Sequence, residues 1–279
     1  MTFSVNCSIM LAELPLLERP AAVKAAGFDA VEFWWPFASS VPGDTELSRF
    51  ERAITDAGVQ LAGLNFNAGD MPAGDRGLVS WIGRSSEFRD NIDVVAGIGG
   101  RLGCTSFNAL YGNRQAGQAA EDQDELAIEN LAAAAAAVAR IGGTVLLEPV
   151  SGAPDYPLRT ADDALRVIAR VKEETGVANI RLLADFYHLS VNGDDVGAVI
   201  EQHAKDFGHV QIADAPGRGA PGTGQLPLAE WIARSREFGY GGRIGLEYQA
   251  PAATAFAWVH PQTAQSPPDQ TAPGLKDMP

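Results

Sequence analysis

The chain of 279 residues carries 21 Lys and Arg against 35 Asp and Glu, a formal net charge of −14, with 46% hydrophobic and 20% charged residues. That balance supports a large folded core and excludes disorder for most of the length, while an acidic chain without a basic cluster offers no track for the phosphates of a nucleic acid. No apolar run reaches the roughly 18 to 20 residues of a membrane span, and MTFSVNCS lacks the basic and apolar regions of a signal peptide, so a cytoplasmic protein is expected.

In chain order, the first β-rich run is 3–8 (FSVNCS), followed by a helical stretch over 15–26. Then come the strand 28–33 (FDAVEF) with a helix over 44–57, and 59–66 (VQLAGLNF) with a helix over 76–98. The pattern repeats with strands at 103–108, 144–148, 180–185, 208–213 and 243–248, and helices over 121–141, 160–175, 194–206 and 228–238. Helical stops such as Ala57-Gly58 and Gly142-Gly143 separate the units. Eight strand–helix units with strand starts roughly 25 to 45 residues apart predict a closed (β/α)8 TIM barrel of α/β class. The first strand also runs on without GxGxxG, against a dinucleotide-binding fold. Residues 1–260 are read as this single barrel domain. Residues 261–279, rich in Pro, Gln and Thr, are read as a C-terminal tail outside it. Cys7 and Cys104 lack a CxxC pairing and are expected as buried thiols.

In such a barrel the chemistry gathers where the strands end. Strand five ends in Glu148, strand six in Asp185, strand seven carries Gln211 with Asp214 beyond it, and strand eight ends in Glu247. A carboxylate buried in an apolar barrel must be paired, protonated or bound to a cation, and three around one rim point to a shared cation. The donor set is all oxygen, which suits a hard divalent ion such as Mg2+ or Mn2+ better than zinc. Any one of these carboxylates could instead pair with an arginine or cap a helix. His188 follows Asp185 by three residues. His209, two residues before Gln211, is expected as a hydrogen-bonded core histidine facing the same side, whereas His203 and His260 are expected at the surface.

The blocks LNFNAGDMPAGDRG at 64–77, GRSSEF at 83–88, FNALYGN at 107–113, LLEPV at 146–150, ADFYHL at 184–189, HVQIADAPGR at 209–218 and IGLEY at 244–248 resemble the hydroxypyruvate isomerase family of xylose-isomerase-like TIM barrels. VEFWWPF at 31–37 is similar to that family's aromatic second strand end. The resemblance implies that Glu148 and Glu247 are the acid/base pair, that Glu148, Asp185, Gln211 and Glu247 hold a divalent cation, and that His188 and Arg218 contact substrate. Related sugar epimerases have His where this chain has Gln211, which points toward the hydroxypyruvate branch.

The reaction so implied interconverts hydroxypyruvate and tartronate semialdehyde through an enediolate, with one carboxyl as base and the other as acid. Arg218, in the Gly-rich loop PGRGAPGTG at 216–224, is placed to pair with the carboxylate of a small anionic 2-oxo acid. Asn65 and Asn67, on the loop 65–77, are expected to close over the same rim. Trp34 and Trp35 are expected either to wall the pocket or to fill a homodimer interface. The rival readings are a 2-oxo-tetronate isomerase or ketose 3-epimerase on the same scaffold, and a barrel that binds sugar acids without catalysis. An endonuclease on this barrel is disfavoured by the acidic charge.

Overall fold

Eight short runs dominated by Val, Ile, Leu and Phe pair in register as the parallel strands of one closed barrel, in the order of the sequence. They are β1 (Phe3–Asn6), β2 (Ala30–Phe33), β3 (Gln60–Asn65), β4 (Ser106–Asn108), β5 (Thr144–Leu147), β6 (Ile180–Asp185), β7 (Phe207–Ile212) and β8 (Ile244–Leu246). This computed structural model describes residues 2–259, so the expected tail at 261–279 and His260 lie outside the described residues. Closure comes from β1 pairing with β8, where Val5 faces Leu246. Both faces of such a sheet are covered, which is why most strand residues are buried instead of alternating with exposed ones.

The outer layer consists of α1 (Arg19–Ala25), α2 (Asp44–Ala57), α3 (Ser85–Leu102), α4 (Ala120–Ala139), α5 (Ala161–Thr175), α6 (Phe186–Val191), α7 (Val196–His203) and α8 (Leu228–Glu237). The alanine-rich α4 buries Leu131, Ala134, Ala135 and Val138. Small side chains with the best helix propensity let it sit close between its neighbours. A capping box between Thr160 and Asp163 starts α5. Cys7 and Cys104 are both free and buried, as expected. Their thiols are pushed up by burial and serve as packing.

Two departures from the sequence reading matter for the site. The helix expected from residue 76 begins at Ser85. Residues 66–81 form a loop because Gly77, at φ +115°, passes so close to the Leu110 carbonyl that an added Cβ would lie 1.9 Å from it. The second departure is α6, which follows β6 without a linker. It is nucleated by the Asp185 carboxylate, whose Oδ1 accepts the Tyr187 and His188 amides at 2.8 and 3.3 Å.

Candidate active site

At the C-terminal rim nearly every strand delivers a polar residue. Asn6, Asn65, Asn108 and Asp185 close β1, β3, β4 and β6, while Glu148 and Glu247 directly follow β5 and β8. Glu148, Asp185, His188 and Glu247 are all buried, and each offers one donor atom within 4.8 Å of the others. Trp34, Asn65, Arg76, Glu148, His188, Arg218 and Glu247 line a cavity of about 280 Å³ above them, at the small end of ligand sites.

Each carboxyl is held from a different side. Glu148 Oε2 accepts from the Asn108 amide at 2.6 Å. Glu247 Oε1 accepts from Asn6 Nδ2 and from the Trp34 indole, both at 2.7 Å, and its Oε2 accepts from Arg218 Nη2 at 2.7 Å. These bonds leave Glu148 Oε1 facing His188 Nε2 at 3.9 Å, and Asp185 Oδ2 lies 3.7 Å from the same nitrogen. Burial, then the charges of Glu247 and Asp185, lifts the Glu148 carboxyl well above the usual carboxylate range. Burial likewise pushes Glu247 up to about 7, although Arg218 pulls against it. Two carboxyls therefore share one site with raised proton affinity, the condition for dividing acid and base roles near neutrality.

The tautomer of His188 follows from its neighbours. Its Nδ1 accepts the Ser151 backbone N–H at 3.0 Å, so in the neutral ring the proton sits on Nε2, facing the carboxyls. Burial holds the ring neutral, with its pKa down at about 4. His188 thus enters the group as an N–H donor, which fits a contact to substrate oxygen better than a metal bond.

A divalent cation fits the oxygen donors. Asp185 Oδ2 and Gln211 Oε1 are buried without a hydrogen-bond partner among the described residues, and the two residues are register partners on β6 and β7. Orphaned oxygens at that depth are costly unless something positive is placed between them. The Gln211 amide is oriented from behind, because its Nε2 donates to Glu32 Oε2 at 2.9 Å and the acyl oxygen must face elsewhere. Glu32 also accepts from Ser4 Oγ at 2.5 Å and bonds His209 Nε2 at 2.8 Å. Burial opposes its charge, yet His209 and these bonds hold its carboxyl below the usual range. The same carboxylate keeps the buried His209 ring raised. Gly245 makes room for this network, since a Cβ there would lie 2.7 Å from Glu32 Oε1 and 2.9 Å from His209 Nε2.

The expected residues Glu148, Asp185, His188, Arg218, Glu247 and Asn65 meet at this rim, with Gln211 beside Asp185. Asn67 does not line this cavity. Its amide bonds Ser40 and Glu87, and its Oδ1 accepts the Gly69 amide, so it shapes the loop and borders a neighbouring cavity instead. Asp214 clasps the Gly-rich loop through the amides of Ala215, Gly222, Gly224 and Leu226. Of the tryptophans, Trp34 walls the cavity, whereas Trp35 bonds the Ser39 carbonyl and packs on Phe37. Sequence reasoning missed Asn6, Asn108, Glu32 and Arg76. The strand-end rule that found the carboxylates would have found the two asparagines.

A family model described as "Xylose isomerase-like TIM barrel" matches residues 20–272, and the chain belongs to that family. Within it, the chain is 53% identical to a putative hydroxypyruvate isomerase of Streptomyces coelicolor, over 92% of this chain and 95% of that one. It is 34% identical to a 2-oxo-tetronate isomerase of Cupriavidus necator, over 93% and 97% of the two chains. Among solved structures, the barrel of a Brucella melitensis protein titled AP endonuclease, family 2 superposes with a TM-score of 0.83 at 31% identity, covering 93% of this chain and 98% of that one. The chain is a hydroxypyruvate isomerase homologue and an isomerase. Among the described residues no helix is long and apolar enough to cross a membrane.

Proposed function

We propose that the protein interconverts hydroxypyruvate and 2-hydroxy-3-oxopropanoate (tartronate semialdehyde) by proton transfer between Glu148, Glu247 and the two adjacent substrate carbons. The observation that carries this reading is the pair of buried, proton-avid carboxyls on one small cavity, beside an imidazole N–H donor. The ionised carboxyl removes a proton from the hydroxyl-bearing carbon. The protonated one returns a proton to the neighbouring carbon, the hydroxyl proton passes to the former carbonyl oxygen, and the roles exchange for the reverse direction. His188 Nε2–H donates to the substrate oxygen on which negative charge develops, a role that a neutral imidazole fills without competing for the migrating proton. Arg218 steadies the ionised form of Glu247 and walls the site.

Glu148, Asp185, Gln211 and Glu247 would hold Mg2+ or Mn2+, which supplies Lewis-acid stabilisation of the enediolate charge when bound. A four-carbon 2-oxo acid is the second reading, favoured by the similarity to a 2-oxo-tetronate isomerase. Incubating the full-length protein with hydroxypyruvate, 2-oxo-tetronate and a ketose, with product followed by NMR, tests both. The expected result is isomerisation of hydroxypyruvate at the highest kcat/KM. Epimerisation of the ketose with neither acid converted would overturn the assignment.

A further inference from the structure

A 2-oxo acid brings its own negative charge into a cavity already lined by two glutamates, with Asp185 beneath, so something must receive the carboxylate. Arg218 is already engaged. Its Nη2 lies 2.7 Å from Glu247 Oε2 and 3.8 Å from Asp185 Oδ2, and its Nε reaches the Glu247 carbonyl at 3.4 Å. The residue adopts φ +53°, a left-handed conformation that a non-glycine residue adopts at a cost. The loop around it is clasped by Asp214, and its own carbonyl accepts the Gln249 amide. Turning this guanidinium onto a substrate carboxylate would take from Glu247 its one ion-pair partner among the described residues.

Arg76 lines the same cavity from the opposite loop, between β3 and α3. Only its Nη1 is spent, on the carbonyls of Met71 and Asp75 at 3.0 and 2.7 Å. Both partners are neutral, and among the described residues Arg76 forms no ion pair. Its neighbour Asp75 is turned away, accepting from Arg84 Nη1 at 2.9 Å and from the Asp70 amide at 2.7 Å. The half-buried guanidinium therefore has no carboxylate partner among the described residues, and its Nε and Nη2 are still able to donate.

The loop that carries it is fixed at several points. The Gly77 amide donates to Ala68 O at 2.9 Å, the close approach of Gly77 to Leu110 locks the exit, and Asn113 Nδ2 holds the Gly74 carbonyl at 3.0 Å. A planar fork presented by a fixed loop, uncompensated and facing a cavity, is the arrangement that binds a carboxylate in bidentate fashion.

We propose that Arg76 is the carboxylate anchor of this site, and that it makes the pocket selective for small hydroxy and oxo acids over neutral sugars of the same length. Arg218 instead serves Glu247. The proposal rests on the isomerase reading above for the position of the reacting carbons, but the anion site is testable without turnover.

Wild type, Arg76→Gln and Arg76→Lys are titrated calorimetrically with D-glycerate, a three-carbon acid that lacks the carbonyl needed for isomerisation. The same proteins are assayed with hydroxypyruvate and with dihydroxyacetone, its neutral counterpart. Arg76→Gln is expected to weaken glycerate binding at least 20-fold, and to lower the kcat/KM preference for hydroxypyruvate over dihydroxyacetone by a similar factor. Arg76→Lys, which keeps the charge and loses the fork, should fall between. Melting temperatures within a few degrees of wild type establish that the loop is intact. Unchanged glycerate affinity in folded Arg76→Gln would overturn the proposal, as would an equal loss on acid and neutral substrates, which is the signature of a merely structural arginine. Glycerate binding that depends on Arg76 in a protein converting no 2-oxo acid would uphold the anion site while removing the isomerase assignment.

Discussion

Two buried acidic groups, linked through Gln211, are treated in opposite ways in this barrel. Glu32, in the barrel interior, is matched by His209 and accepts from Ser4 and Gln211, so that its charge is compensated. Glu148, Asp185 and Glu247, one layer higher, have one arginine among the described residues, Arg218, at 2.7 Å from Glu247 Oε2 and 3.8 Å from Asp185 Oδ2, and Asp185 Oδ2 accepts no hydrogen bond from them. The first group is a finished structural ion pair. The second carries more negative charge than its surroundings neutralise, and a protein retains such an excess where a proton, a cation or a polarised substrate is to be received. The contrast distinguishes the acid that supports the site from those proposed to act in it.

The largest expected effect separates the two groups by activity. Glu148→Gln should lower turnover by about 10²- to 10⁴-fold, the usual worth of a general acid or base, and leave the melting temperature unchanged or raised, because it removes one of three repelling carboxyls. Glu32→Gln should do the reverse in stability. Breaking a buried pair and leaving His209 charged or unsatisfied costs about 3–5 kcal/mol, a fall in Tm of roughly 10 °C in a domain of this size. A comparable loss of stability in Glu148→Gln would erase the distinction.

Smaller effects sharpen it. Saturating Mg2+ or Mn2+ should raise Tm, by about 2.7 kcal/mol in stability at a hundred times Kd, and Gln211→Ala should weaken that response, as a melt with and without EDTA would report. The pH dependence follows from the signs. Glu247 has a raised pKa in the folded protein, so the fold binds protons more tightly than the unfolded chain, and stability in EDTA should decline as pH rises from about 4.5 toward 7. Glu32 is held below its usual value, so its contribution is present above the ordinary carboxylate range and is lost in acid. Glu247→Gln should flatten the neutral decline and leave the acid limb in place. Asn108→Ala, which removes the donor at 2.6 Å from Glu148, should have the smallest effect, about tenfold in turnover.

The barrel was legible because eight strand–helix units leave a periodic trace, and the rim carboxylates because an ionisable residue closing an apolar strand is conspicuous. The supporting groups were not. Glu32 and His209 are 177 residues apart, and nothing local says that they pair. Asn6 and Asn108 are ordinary amides until the barrel closes and aims them at Glu247 and Glu148. Arg76 lies where the loop read over 65–77 overlaps the helix read over 76–98, and the backbone approach at Gly77 keeps it on the loop, facing the cavity. Helix α6 was missed because six residues directly after a strand carry too little periodicity to register.

Whether Glu148 and Glu247 move a proton is read by running the hydroxypyruvate reaction in D2O and following deuterium at the reacting carbons by NMR. Solvent deuterium is expected in the product and in recovered hydroxypyruvate, with Glu148→Gln and Glu247→Gln each abolishing the exchange. Full conversion without deuterium, the mark of a hydride shift between the two carbons, or exchange at the wild-type rate in either variant, would contradict proton transfer by the pair.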